Sequence, residues 1–359
     1  MNVHHSRLEP RDGDPAERLF SRDEVELPEG RHLFHRKQLM AFIEAETAAT
    51  PAAQPAAPRR RSFLRPAFVL PAVACSLALV AGAAVAVLSP DGGTQGTTGP
   101  ALTTTLVEGD GKGVPQLLER ISLAAVEGPA SAEQVRAGQY IYIESKVGTT
   151  YEKTVDDKTT LVSDGIHTRR IWRSTDGTKG WLIDPAVTPP KGESIDAINE
   201  KGEVQQSFLN FPSYDYLKTL PTDPDALLKK IYTETKGHGN SPDQEAFTTI
   251  GDLLKESLLP APLAAALYRA AAKIPGVVEV PRAEDAAGRT GVAVARLDET
   301  SGRRTEWIFD AKTFTYLGER NVQVRANGGD AGLITPGTVT FTSAILVREA
   351  VDQLPDGAR

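Results

Sequence analysis

Pro66 to Leu88, PAFVLPAVACSLALVAGAAVAVL, is a run of 23 residues without a charge in a chain of 359. As a helix it reaches roughly 34 Å, enough for a hydrocarbon core of about 30 Å. The run is rich in Ala and contains Pro71, which makes its transfer to lipid less favourable than that of a Leu/Ile/Val helix. Its flanks are asymmetric. Residues 51 to 65 hold Arg59, Arg60, Arg61 and Arg65 and no acid, whereas residues 89 to 108 hold Asp91 and Glu108 and no Lys or Arg. By the positive-inside rule the sequence predicts a single transmembrane helix over 66–88, in the plasma membrane, with the N-terminus cytoplasmic and the C-terminal domain extracytoplasmic.

Sixty-five residues precede the run, too many for the short basic start of a secretory signal, so cleavage at Ala84-Val85-Ala86 is not expected. Cys75, the only cysteine, follows Ala72-Val73-Ala74, a poor lipobox, and reads as a small residue within the span. With one cysteine no intramolecular disulfide can form, so an exported body must be held by its hydrophobic core.

The run separates a head, 1–65, from a body that begins with a flexible linker, 89–113. Charge separates them too. The head has 11 basic and 10 acidic residues; from 89 onward there are 29 basic and 37 acidic, a net charge of −8. A body of that sign lacks the basic footprint of a nucleic-acid binder. The head reads as mostly disordered, with one short amphipathic helix over 31–46, where Leu33, Phe34, Leu39, Met40, Phe42 and Ile43 interleave with polar residues. About 16 residues of helix are marginal alone in water. The helix therefore calls for a cytoplasmic partner or the membrane surface to pack on. His32 and His35 sit three apart on it, but no further ligand follows at a metal-site spacing. Thr47 to Pro58, rich in Ala and Pro, is a linker.

From 114 to 359 the order of patterns is helix, strands, helices, strands. Val114 to Glu127 is an amphipathic helix, Gln139 to Val147 a strand, and His167 to Ser174 and Lys179 to Asp184 a hairpin about Asp176-Gly177. Three helices follow. The first is capped by Asp223 before Pro224, the second is assigned a cap at Asp243, and the third ends at Pro275-Gly276. Five strand-like segments close the chain: Val277 to Val280, Gly291 to Leu297, Arg304 to Phe309, Thr315 to Val324 and Thr338 to Val347. This is an α+β pattern, a curved antiparallel sheet packed on helices, and not the βαβ alternation of a nucleotide-binding sheet.

Phosphate-binding glycine loops, HExxH, CxxC and GxSxG are all missing, and the body offers only His167 and His238 as imidazole bases. The expectation is a protein that is not an enzyme, with no catalytic residue, cofactor or metal. Trp172, Trp181 and Trp307 all fall in strands. They either pack the core or line an apolar pocket between sheet and helices.

The segments GQYIYIES, HTRRIWRSTDGT, LPTDPDALLKKIY, LLPAPLAAALYRAAAKIPGV and GVAVARLDETSGRRTEWIFDAKTFTYLGER, in this order, together with LPEGRHLFHRKQLM in the head, resemble a family of actinobacterial single-pass membrane proteins. Its members are commonly encoded beside an extracytoplasmic-function sigma factor, and it carries no established catalytic residues to transfer. More loosely, the body is similar to the lipoprotein-carrier fold shared by LolA and RseB. The resemblance implies a membrane-anchored extracytoplasmic sensor or binding protein that acts on a sigma factor through its head. The alternative it implies is an anchored carrier with a hydrophobic cavity for a lipid or lipoprotein ligand. The head departs from a zinc-type anti-sigma domain, because HxxxCxxC is missing and no Cys occurs before Cys75.

Overall fold

The computed structural model describes residues 99–128, 135–155, 158–198, 202–326 and 332–358. The run Pro66 to Leu88, its arginine flank and the whole head lie outside these residues. Among the described residues no helix is long and apolar enough to cross a membrane.

In chain order the body contains α1 (Val114–Glu127), β1 (Tyr140–Val155), β2 (Lys158–Ser163), β3 (His167–Ser174), β4 (Gly180–Ile183) and β5 (Glu193–Ser194). There follow α2 (Tyr214–Leu217), α3 (Pro224–Glu234), α4 (Pro242–Glu256), α5 (Ala261–Ala271), β6 (Val277–Glu284), β7 (Thr290–Asp298), β8 (Arg303–Phe309), β9 (Tyr316–Gln323) and β10 (Val339–Val351). The ten strands form one open, curved antiparallel sheet in the order β5-β4-β3-β1-β10-β9-β8-β7-β6, with β2 paired to the far half of β1. The first long strand thus lies beside the last. Leu346 is the extra residue of a bulge where β10 passes Glu144 and Ser145.

The α+β class and the terminal meander are as expected from sequence, with strand ends displaced by a few residues. The hairpin at Asp176-Gly177 is also present, and Gly177 has φ +78°, which a residue with a Cβ rarely adopts. Asp223 caps α3 by accepting the Ala226 amide at 2.8 Å. The cap of α4 differs from expectation: it is Ser241, which accepts the Gln244 amide at 3.1 Å, with Pro242 in the first turn. Asp243 instead accepts a hydrogen bond from the Tyr232 hydroxyl at 2.7 Å, joining α4 to α3.

Alternation along each strand assigns two faces. The inner face, toward the helices, carries Val292 and Val294 of β7 and Trp307 and Phe309 of β8. These pack with Phe247, Ile250 and Leu254 of α4, Leu227 and Ile231 of α3, Leu263 and Leu267 of α5 and Leu117, Leu118 and Ile121 of α1. The outer face of the same strands carries Ala293, Ala295 and Ile308, which join Val280, Ala283 and Leu317 in a second apolar layer.

That second layer is covered by the segment read from sequence as a flexible linker, which is a correction from Gly99 onward. Gly99 exchanges backbone hydrogen bonds with Ser163, at 2.7 and 3.0 Å. The Leu102 carbonyl accepts the Val339 amide at 2.9 Å, and the Thr104 amide donates to the Gly337 carbonyl at 2.8 Å. Val107 packs on the second layer, and Asp110 exchanges two bonds with Glu279 at 2.8 Å. Gly109 passes so close that a Cβ would sit 2.6 Å from Val278 Cγ2. Residues 99 to 111 are therefore a strap across the outer face, running from the β2 end of the sheet to its β6 edge. At that edge the strap and Pro281 together limit pairing with another strand.

Candidate functional site

On β3 the residues sharing a face with the inward Ile171 are His167, Arg169 and Arg173, so three basic side chains point at the helices. Two acids meet them: the buried Asp184, just past β4, and the half-buried Glu256, in the last turn of α4. His167 Nε2 lies 2.9 Å from Asp184 Oδ1, and its Nδ1 lies 3.2 Å from the Gly165 carbonyl. The Arg169 guanidinium spans both acids, 3.7 Å from Asp184 Oδ2 and 3.1 Å from Glu256 Oε2.

Both ring nitrogens of His167 face oxygens that can only accept, so the doubly protonated ring satisfies both contacts and a neutral ring only one. The Asp184 hydrogen bond accordingly raises the His167 pKa above the ordinary range, against the opposing effect of burial. Burial alone would raise the Asp184 carboxyl, but the bonds from His167 and the Ala186 amide outweigh it and hold the group low. Glu256 is likewise held low, because Arg169, Lys255 and Arg173 overcome its desolvation. Stability from the His167 proton is fully present below the imidazole's unfolded pKa and is lost as pH rises through the raised folded value. Stability from Asp184 is present above its unfolded pKa and is lost as pH falls through the lowered one.

A second set of charges continues the cluster along α4. Lys255 Nζ lies 3.2 Å from Asp252 and 3.5 Å from Glu319, above the Phe341 ring at 4.8 Å. Burial would lower its pKa, but the surrounding carboxylates raise it above the ordinary range. Arg348 Nη2 donates to the Leu254 carbonyl at 2.6 Å, which places a cation on the carbonyl end of α4.

Arg173 borders a cleft floored by Ile141, Ile143 and Ile171 and walled by Tyr214, Leu217 and Leu258. Its guanidinium lies over the Phe211 ring at 4.7 Å, and burial lowers its pKa to about 10. The cleft volume is ≈ 20 Å³, the room of a single water and far below the several hundred Å³ of a ligand pocket. A wider depression of ≈ 570 Å³ on α3, lined by Leu228, Lys229, Tyr232 and Lys236, opens broadly to solvent.

The chemistry of this arrangement is that of an electrostatic clamp. Ser213, at the rim of the cleft, is engaged in accepting the Tyr216 amide at 3.1 Å. Among the described residues no three His, Cys, Asp or Glu side chains gather as a metal site.

The three tryptophans are not brought together. Trp307 is fully buried on the inner face and stacked on Phe247, with ring centroids 3.8 Å apart and planes at 4°. Trp172 and Trp181 alternate with the inward Ile171 and Leu182 and so occupy the outer face, cross-strand neighbours of each other. Tyr142 packs on Trp172 at 4.8 Å, and Trp181 Nε1 donates to the Lys191 carbonyl at 3.1 Å. An apolar pocket shared by Trp172, Trp181 and Trp307 is thus not formed, because the sheet itself lies between them. The other residues singled out from sequence, Arg59, Arg60, Arg61 and Arg65 at the membrane flank and Leu33, Phe34, Leu39, Met40, Phe42 and Ile43 in the head, lie outside the described residues.

What sequence reasoning missed is the basic alternation at 167, 169 and 173. In a strand whose Ile171 faces inward, cations at the same parity require buried acids opposite. No family model matches this chain, and a search of curated proteins finds no match either.

Proposed function

We propose that the chain is a single-pass membrane protein with an extracytoplasmic sensor or binding body and a cytoplasmic head that binds and regulates a sigma factor. One observation carries the reading: the uncharged run Pro66 to Leu88, with four arginines before it and only acids after it within twenty residues. Support comes from the body, which encloses its own core. The open antiparallel sheet with helices on one face supports the looser likeness to LolA and RseB. A carrier would need a cavity large enough for an acyl chain, and the inner cleft holds about one water. We therefore favour the sensor.

Co-purification tests the reading. The full-length protein, solubilised in detergent from its own cells, is expected to retain an extracytoplasmic-function sigma factor, and the double variant Leu39→Asp, Phe42→Asp to lose it. If the unsubstituted protein retains none, the regulatory role is wrong.

A further inference from the structure

Arg173 is the cation of the β3 cluster that lacks a counter-charge. His167 meets Asp184, and Arg169 spans Asp184 and Glu256. With His167 protonated, three cations of β3 face two carboxylates, which leaves one positive charge over. Among the described residues Arg173 forms no ion pair and donates no hydrogen bond, and its guanidinium rests on the Phe211 ring. The ring covers one face of the group and leaves the in-plane N–H donors without acceptors. A half-buried guanidinium in that state carries a desolvation cost that a bound anion offsets.

The cleft that Arg173 borders offers two further donors. Ser257 lines it and is 5 % exposed, and among the described residues neither its hydroxyl nor its amide takes part in a hydrogen bond. It follows α4 in extended backbone, φ −133° and ψ 149°, so its N–H is not turned back onto the helix. The Ser213 hydroxyl, also in the lining, accepts the Tyr216 amide and donates to no described residue. Two features nearby could repel an anion, and both are answered. The Glu256 carboxylate is held by Arg169 at 3.1 Å, and the carbonyl end of α4 is taken by Arg348, which donates to the Leu254 carbonyl at 2.6 Å.

We propose that this cleft is a binding site for a small monovalent anion, a halide such as chloride, held by the Arg173 guanidinium and the hydroxyls of Ser213 and Ser257. Size selects the class. The cleft holds ≈ 20 Å³, the room of about one water, so a halide enters and a phosphate, sulfate or acyl carboxylate does not. Charge agrees, because the cluster has a single positive charge to spare. The apolar walls at Ile143, Ile171 and Leu258 limit competing water and strengthen the charge-assisted bonds. Bound chloride joins β3 to the segments packed on it, through Ser213 ahead of α2 and Ser257 after α4. The inference is independent of the anchor and of the sigma factor.

Chloride itself is the probe. Full-length protein in a non-ionic detergent is titrated into chloride solution, and the quadrupolar broadening of the chloride NMR signal is measured, with bromide and acetate as competitors. The unsubstituted protein is expected to broaden the signal, and bromide but not acetate to suppress the effect. Arg173→Gln should weaken binding roughly tenfold or more, the scale of a lost charge-assisted hydrogen bond. Ser257→Ala, which removes no hydrogen bond within the described structure, should weaken it less and carries the test if circular dichroism shows Arg173→Gln to be unfolded. Arg303→Gln, on the exposed side of β8, should leave the broadening unchanged. Absence of broadening in the unsubstituted protein overturns the site. So does broadening that survives both Arg173→Gln and Ser257→Ala, or that falls equally with Arg303→Gln, since surface charge then accounts for it. Acetate competing as well as bromide overturns the halide assignment.

Discussion

Replacing Glu306→Gln lowers the stability of the body by about 3–5 kcal/mol, the usual cost of leaving buried charge without its counter-charge. Glu306 is wholly buried on the outer face of β8. Arg304 Nε donates to its Oε1 at 2.8 Å and Arg320 Nε to its Oε2 at 2.7 Å. Both arginines are themselves almost fully buried, and Arg320 also reaches Thr104 of the strap at 3.2 Å. The amide that replaces the carboxylate keeps the shape and removes the charge, so two guanidinium groups remain desolvated without compensation. The strap should loosen first, since Thr104 is held by one of them. Urea denaturation of the body, followed by tryptophan fluorescence, measures the loss. A midpoint within error of the parent would show that the triad contributes little.

Trp307→Ala is expected to cost a similar amount, about 3–5 kcal/mol, by a different route. The indole fills the space between β8 and α4, stacked on Phe247. Helix α4 approaches it through Gly251, where a Cβ would stand 2.5 Å from Trp307 Nε1 and 2.9 Å from Glu319 Oε2. Glycine in a helix interior is unfavourable by about 1 kcal/mol relative to alanine, and here it is required by the closeness of the ring. Removing the ring leaves a void that α4 cannot close without shifting the charges in its last turn, Lys255 and Glu256. Thermal unfolding of the variant body measures the effect. A pocket-lining tryptophan would behave otherwise, with ligand binding altered and the melting temperature little changed.

Much of the architecture was legible in the sequence because local signals coincided. Asp223 before Pro224 marks a capped helix, Asp176-Gly177 a hairpin, and the final five strands alternate or are uniformly apolar, the first four of them joined by short polar links. The strap was not legible. Between Gly99 and Lys112 the chain makes isolated bridges at Gly99, Thr103 and Asp110 and has neither helical nor strand period, so its Thr and Gly content reads as a tether. The small outward residues Ala293 and Ala295 are its only counterpart signal. The β1–β2 ribbon was missed for a related reason: beyond Thr150 its faces are polar or exposed, and alternation fades where neither face is buried. The charged clamp depends on bringing β3 against the end of α4, some ninety residues later in the chain, which no local pattern encodes. For the tryptophans, placement in strands could be read, but the side of the sheet could not be assigned until register was known.

The central claim is that the chain crosses the membrane once and presents its body outside. Two single-cysteine forms of the full-length protein in a Cys75→Ser background, Ser6→Cys in the head and Lys312→Cys on an exposed turn of the body, test it in intact cells with a membrane-impermeant maleimide. The account predicts labelling at position 312 in intact cells and at position 6 only after the cells are opened. Protection of 312 with labelling of 6, or equal labelling of both before lysis, would contradict it.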